Sequence, residues 1–164
     1  MTNSNIQITM DITFRVADTD KEFESGKKLF LEYANSLGVD LSFQDFPDEL
    51  INIRTQYNRP KGALLLAYDK KEAIGCVGIR EFDSEIAELK RMFIFKEYQG
   101  CKIGRKMLDM IVDVAKQLGY KKIRLDTLPD MTTAQNLYRA SGFYEIPAYR
   151  FNPIEGTVFL EKLL

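Results

Sequence analysis

The chain has 164 residues, 45% of them hydrophobic, enough for one domain with its own core and no need of covalent staples. Lys and Arg number 23 against 24 Asp and Glu, and the net charge of −1 argues against a dedicated nucleic-acid binder. Histidine is absent, which removes Ser-His-Asp and Cys-His hydrolases and the usual zinc ligand; proton transfer falls to carboxylates, lysines, tyrosines, cysteines or water. No run of 18 apolar residues predicts a membrane span, and MTNSNIQITMD has no basic segment followed by an apolar core. Cys76 and Cys101 form no metal-type spacing, so a cytoplasmic chain with two reduced thiols and no metal is expected.

Ile6, Ile8, Met10, Ile12, Phe14 and Val16 alternate with polar residues, the period of a half-buried strand. Thr19-Asp20-Lys21-Glu22 reads as a capping box. It opens a helix with Phe23, Phe30, Tyr33, Ala34 and Leu37 on one stripe, ending at Gly38. A second, short helix starts near Pro47 and carries Leu50, Ile53 and Tyr57 before a turn at Asn58–Gly62. Ala63–Tyr68, Ala73–Arg80 and Ile86–Phe95 make a meander joined by polar turns. After the loop Lys96–Gly104, Ile103, Met107, Ile111, Val114, Ala115 and Leu118 mark the inner face of a long helix ending at Gly119. Lys122–Thr127 is a strand, and Thr132-Thr133-Ala134-Gln135 fits a capping box for a helix ending at Gly142. Tyr144–Ile146 and Thr157–Leu163 close the chain as strands. The order predicts a single domain over residues 1–164. Its fold is a mixed α/β sheet, antiparallel in its first half, with helices on both faces; it is not a doubly wound dinucleotide fold.

Gln99-Gly100-Cys101-Lys102-Ile103-Gly104 lies between a strand and a helix N-terminus. Glycines allow close approach of backbone to a ligand, and the first helical turn offers unpaired N–H groups and partial positive charge. With Lys102, Arg105 and Lys106 nearby, this is a seat for a phosphate or pyrophosphate, or else a plain loop with solvated basic residues. It lacks the Gly-Lys-Ser/Thr ending of a Walker loop.

Glu88–Gly104, the helix and strand after it, and Ala134-Gln135-Asn136-Leu137-Tyr138-Arg139-Ala140-Ser141-Gly142-Phe143 together resemble the GNAT superfamily of acyl-CoA-dependent N-acyltransferases. The likeness covers roughly residues 60–145, and Lys102 stands where the family's loop usually has its middle glycine. The resemblance implies a fourth strand splayed from the fifth, so that the backbone of Met92, Phe93 and Ile94 meets the pantetheine arm of acetyl-CoA. It implies a pyrophosphate on Gln99, Gly100, Cys101, Lys102, Ile103 and Gly104, with Lys102 and Arg105 adding charge. Met131 replaces an asparagine that often touches the cofactor, and Asn136 could stand in for it. Tyr138 is then the acid that protonates the departing CoA thiolate, where a core aromatic would be the bland alternative. Glu88 is the candidate base for the amine, or else a salt-bridge partner of Lys90 or Arg91. Cys101 lies near a helix N-terminus but is loop filler rather than an acyl-carrying nucleophile, since the family transfers its acyl group directly.

The expected reaction moves an acetyl group to a primary amine of a small molecule or peptide. No nucleic acid or membrane partner is expected, and a homodimer is left open. The alternative from another class is a sensor that binds acyl-CoA without turnover. The acceptor wall falls on Asp40–Tyr57 and Pro147–Gly156. There Phe43, Phe46, Tyr57, Tyr149 and Phe151 with Asp45, Asp48 and Glu155 could hold a cation with an apolar stem, unless those acids simply face solvent.

Overall fold

A computed structural model describes residues 10–164; the alternating stretch from Ile6 to Thr9 lies outside the described residues. Strand β1 (Ile12–Val16) precedes helix α1 (Asp20–Leu37), whose entry is the predicted capping box. The Thr19 hydroxyl accepts from the Glu22 amide at 3.2 Å, and the Glu22 carboxylate accepts from the amides of Asp18 and Thr19. The predicted second helix is broken. A 3₁₀ turn at Ser42–Gln44 leads into α2 (Phe46–Ile51), and Asn52 separates this from α3 (Ile53–Gln56). Asn52 folds its side-chain amide back onto the Asp48 carbonyl, the local competition that makes asparagine a poor mid-helix residue.

Strands β2 (Ala63–Asp69), β3 (Glu72–Glu81) and β4 (Ile86–Ile94) form the antiparallel meander. Then come α4 (Ile103–Gln117), β5 (Lys122–Thr127), α5 (Thr132–Ala140), β6 (Tyr144–Ile146) and β7 (Val158–Leu163). Among the described residues seven strands lie in the order β1-β2-β3-β4-β5-β7-β6, and β4 beside β5 is the parallel pair. The start of α5 departs from expectation. Met131 is its N-cap, no side chain caps it, and Gln135 donates to the Leu128 carbonyl at 2.8 Å instead of reaching back into a capping box.

Helices cover both faces, so the middle strands are apolar on both. Leu64 and Leu66 of β2 pack with Phe23, Phe30 and Tyr57 beneath α1, whereas Leu65 and Ala67 meet Met107, Leu108 and Ile111 of α4. That two-sided burial explains the continuous apolar run in β2. It also makes the sheet's middle rigid enough to hold side chains from several elements at fixed distances.

Candidate active site

The site begins with a fault in the sheet. β4 and β5 pair at Ile86↔Lys122, Ala87↔Ile123 and Glu88↔Arg124, and no further. Past Glu88, β4 bonds β3 alone, and Leu125–Thr127 of β5 bonds β7 alone. A bulge lies at the same height. Between Cys76↔Phe93 and Gly78↔Lys90, β3 spends one residue and β4 spends two, and Arg91 takes a φ of 59°. The extra residue breaks the alternation of side chains. Lys90 and Arg91 therefore both turn to the face of α1 and α2, where Lys90 Nζ donates to Gln44 Oε1 at 3.0 Å and Arg91 Nε donates to Glu49 Oε2 at 2.8 Å. A guanidinium buried there keeps its charge because Glu49 is buried beside it.

The gap between the strands is a cleft lined by Lys90, Arg91, Met92, Asp126, Thr127 and Tyr138, among others. Tyr138 comes from α5, where Ser141 and Phe143 amides close the helix end onto its neighbourhood and Phe143 packs against its ring at 5.7 Å between centroids. Its hydroxyl makes no hydrogen bond among the described residues, and burial pushes its pKa well above the usual tyrosine value. The Thr127 hydroxyl is likewise buried in the cleft wall without a partner.

At one end of β4 lies the start of α4. Gly100 has a φ of 84°, Lys102 has 62°, and Lys102 is an N-cap with no side-chain hydrogen bond. The first backbone bond of this helix runs from Lys106 to Lys102, so the amides of Ile103, Gly104 and Arg105 are left open to a ligand. The contrast with α1, whose first turn is closed by Thr19 and Glu22, is a difference between a structural helix end and a receptive one. A Cβ on Gly104 would lie 3.3 Å from Ile94 Cδ1 and 3.4 Å from Leu137 Cδ2, so a glycine there keeps the helix tip close to both β4 and α5.

On the α2 side of the fork, Glu88 is 1% exposed and fully engaged. Its Oε1 accepts from Arg80 Nε at 3.3 Å and Nη2 at 3.2 Å, and its Oε2 accepts from the Tyr149 hydroxyl at 2.9 Å. Arg150 Nε lies 3.1 Å from Oε2, but its N–H is not aimed at that oxygen. Arg80 also donates to Glu49 and Gln56.

The sequence profile of the Acetyltransferase (GNAT) family matches residues 28–143. The chain belongs to the GNAT acetyltransferase family. An uncharacterized N-acetyltransferase of Schizosaccharomyces pombe is 33% identical over 152 residues, spanning 92% of this chain and 93% of its own. The crystal structure of a GNAT acetyltransferase from Staphylococcus aureus Mu50 superposes with a TM-score of 0.77 at 25% identity, covering 93% of this chain and 99% of that one. The PaiA N-acetyltransferase of Thermoplasma acidophilum, solved in complex with coenzyme A, has a TM-score of 0.70 at 16% identity, covers 94% and 100%, and supports the fold alone.

Against the GNAT pattern, the residues expected from sequence fall into three groups. Met92, Ile94, Gly104 and Tyr138 converge on the gap, and Gly100, Cys101, Lys102, Ile103 and Arg105 form the α4 tip beside it. Gln99 is turned to its own strand, donating to the Ile94 carbonyl at 3.2 Å, and Arg105 pairs with Asp109 one helical turn on. Phe93 points to the α1 face, packing on Tyr33 and Phe95, so only its backbone can serve the gap. Asn136 is exposed on α5 and does not line the cleft. Glu88 stands at the fork, yet its side chain lines neither cavity, and its partners are Arg80 and Arg150 rather than Lys90 or Arg91. Of the expected acceptor wall, Phe46 and Tyr57 are buried core instead.

Sequence reading passed over Asp126, Arg80 and Arg150. Asp126 lines the cleft from β5, held by Asn152 at 3.2 Å. Arg80 could have been found by counting back from the Glu81–Glu85 turn, because the hairpin register sets Arg80 directly opposite Glu88.

Lys90 gives the site a pH signature. Burial lowers its pKa from 10.5 to about 8. Between those values the unfolded chain binds the proton more tightly than the folded one, so this group adds stability as pH rises from about 8 towards 10.5 and withholds it below. Lys90→Met should therefore melt higher than wild type at pH 7, and the difference should shrink steadily as melting curves are repeated up to pH 10. A difference independent of pH would mean that the ammonium is solvated.

Proposed function

We propose that this GNAT protein transfers an acetyl group from acetyl-CoA directly to a primary amine of a small molecule or peptide. The observation that carries the reading is the gap between β4 and β5, which holds the unpartnered Tyr138 hydroxyl and opens beside an uncapped, basic helix tip. The residues present suit the cosubstrate. Three free amides at Ile103, Gly104 and Arg105, with Lys102 and Lys106 around them, match a pyrophosphate. The free backbone edge at Met92, Phe93 and Ile94, with the orphaned Thr127 hydroxyl across the gap, matches the amides of a pantetheine arm. The Thermoplasma acidophilum protein of the same fold was solved with coenzyme A, and the proposal extends that class of ligand to this chain.

Acetyl-CoA, when bound, supplies the thioester acyl group and a thiol of pKa near 8.5 as leaving group. Tyr138 keeps its proton at neutral pH because burial disfavours the phenolate, so its hydroxyl is present to hydrogen-bond the departing thiolate and to protonate it as the C–S bond breaks, water then returning the proton to the phenolate. The incoming amine must lose a proton before attack, and Asp126 is the carboxylate in the cleft lining that can take it. Glu88, whose oxygens already accept from Arg80 and Tyr149, then acts behind the cleft by fixing that wall.

Coenzyme A at ~100 times its dissociation constant adds about 2.7 kcal/mol, roughly a 5–10 °C rise in melting temperature for a chain of this size. Thiol release on mixing with acetyl-CoA and an amine library then separates an enzyme from an acyl-CoA sensor. No shift at millimolar coenzyme A would end the cosubstrate assignment.

A further inference from the structure

Beyond the cleft, and sharing Gln44 with it, lies a cavity of about 350 Å³ lined by Phe43, Gln44, Asp45, Gln56, Arg80, Arg150 and Phe151. That volume suits a small molecule. Arg80 and Arg150 line the cavity; with Arg91 behind them they share two buried carboxylates, Glu49 and Glu88, an excess of one positive charge before Asp45, which also lines it, is counted. Asp45 is exposed at the rim, where water screens it.

The three arginines are not equivalent. Arg91 is committed to Glu49, and Arg80 is committed to Glu49, Gln56 and Glu88. Arg150 donates no hydrogen bond among the described residues, and its Nε is buried without a partner even though its side chain is only 26% exposed. It is nevertheless held in place, stacked on the Tyr149 ring at 5.8 Å, while Tyr149 is itself fixed by Glu88. A guanidinium that is positioned, mostly desolvated and paired with Glu88 by charge at Nε while donating no hydrogen bond is a fork prepared for a carboxylate or a phosphate. Phe43 and the 78% exposed Phe151 add apolar lining.

We infer that the acceptor is an amine that also carries an anionic group, bound by Arg150 with Arg80 behind it, its apolar body against Phe43 and Phe151 and its amine directed past Gln44 into the cleft. The inference rests on the acetyltransferase reading and narrows its substrate class to amino-acid-like molecules.

Paired acceptors that differ only in the anion test this: phenylalanine against phenylalaninamide, 4-aminobutyrate against 4-aminobutyramide, and 2-aminoethylphosphonate against its diethyl ester. Wild type should favour at least one acid over its neutral partner by roughly 10–100-fold in kcat/KM, the worth of a charged hydrogen bond. Arg150→Gln should collapse that ratio towards one, and Arg150→Lys should restore part of it. The phosphonate pair distinguishes a phosphate-type anion from a carboxylate. Melting temperature and coenzyme A affinity of each variant report on folding. If coenzyme A stabilises the protein and amines are acetylated but no acid outruns its partner, or if Arg150→Gln keeps the ratio, the anion site is overturned and the acetyltransferase reading stands. If coenzyme A does not bind at all, the reading beneath it falls instead.

Discussion

Tyr138→Phe should lower turnover by ~10²–10⁴-fold, the usual worth of a positioned acid, and leave the melting temperature within a degree or two of wild type. The second expectation is the more telling. A buried tyrosine that serves the core normally spends its hydroxyl on a partner, and losing the hydroxyl orphans that partner. Here the hydroxyl has none among the described residues, while the ring is packed on Phe143 and would remain so in phenylalanine. The Michaelis constant for acetyl-CoA should move little, because the proton is given in the transition state. An unchanged turnover number would show that water protonates the thiolate or that another step limits the rate. A large loss of stability would return Tyr138 to the core.

Gly104→Asp should weaken coenzyme A binding by more than ~100-fold, since a carboxylate beside the pyrophosphate seat sets like charges together at a cost of several kcal/mol. The fold should tolerate it. The new Cβ presses on Ile94 and Leu137 side-chain tips at 3.3 and 3.4 Å, which costs about 1–3 kcal/mol. An acid in the first turn of a helix returns ~0.3–1 kcal/mol. Gly104→Asn occupies nearly the same volume without the charge, so the difference between the two variants, read by calorimetric titration, isolates electrostatics from crowding. Wild-type affinity in Gly104→Asp would place the phosphate seat elsewhere.

The local parts of this molecule are legible in its sequence, and the reason is period. The α4 stripe from Ile103 to Ala115 and the alternation of Ile12, Phe14 and Val16 are each decided within one element. The Thr19 box is decided within four residues. Tyr138 and Gly104 were singled out by another route, the likeness of the segments around them to the GNAT family. What stayed hidden depends on register between distant strands. Nothing near Asp126 in the chain says that β5 leaves β4 two residues earlier, at Glu88↔Arg124. Nothing near Arg150 says that a loop after β6 will lay it over Tyr149 and towards Glu88, 62 residues away in numbering, or that Glu88 will be spoken for. The broken helix at Asn52 and the uncapped start of α5 are smaller misses of one kind, a side chain choosing a backbone carbonyl over the expected partner.

The extra residue at Arg91 has a topological consequence. An open sheet has two rims, and each is exposed to recruitment by any passing strand. By parting β4 from β5, this sheet acquires two more rims in its interior, on either side of the gap, facing each other and roofed by α1 on one face and α4 with α5 on the other. A foreign peptide, with side chains standing above and below its backbone, would meet those roofs. On the proposed function, a slender chain that carries amide groups and no side chains would not. The molecule thus keeps a reactive sheet edge under cover, and selects what may lie along it by thickness before any charge or hydrogen bond is consulted.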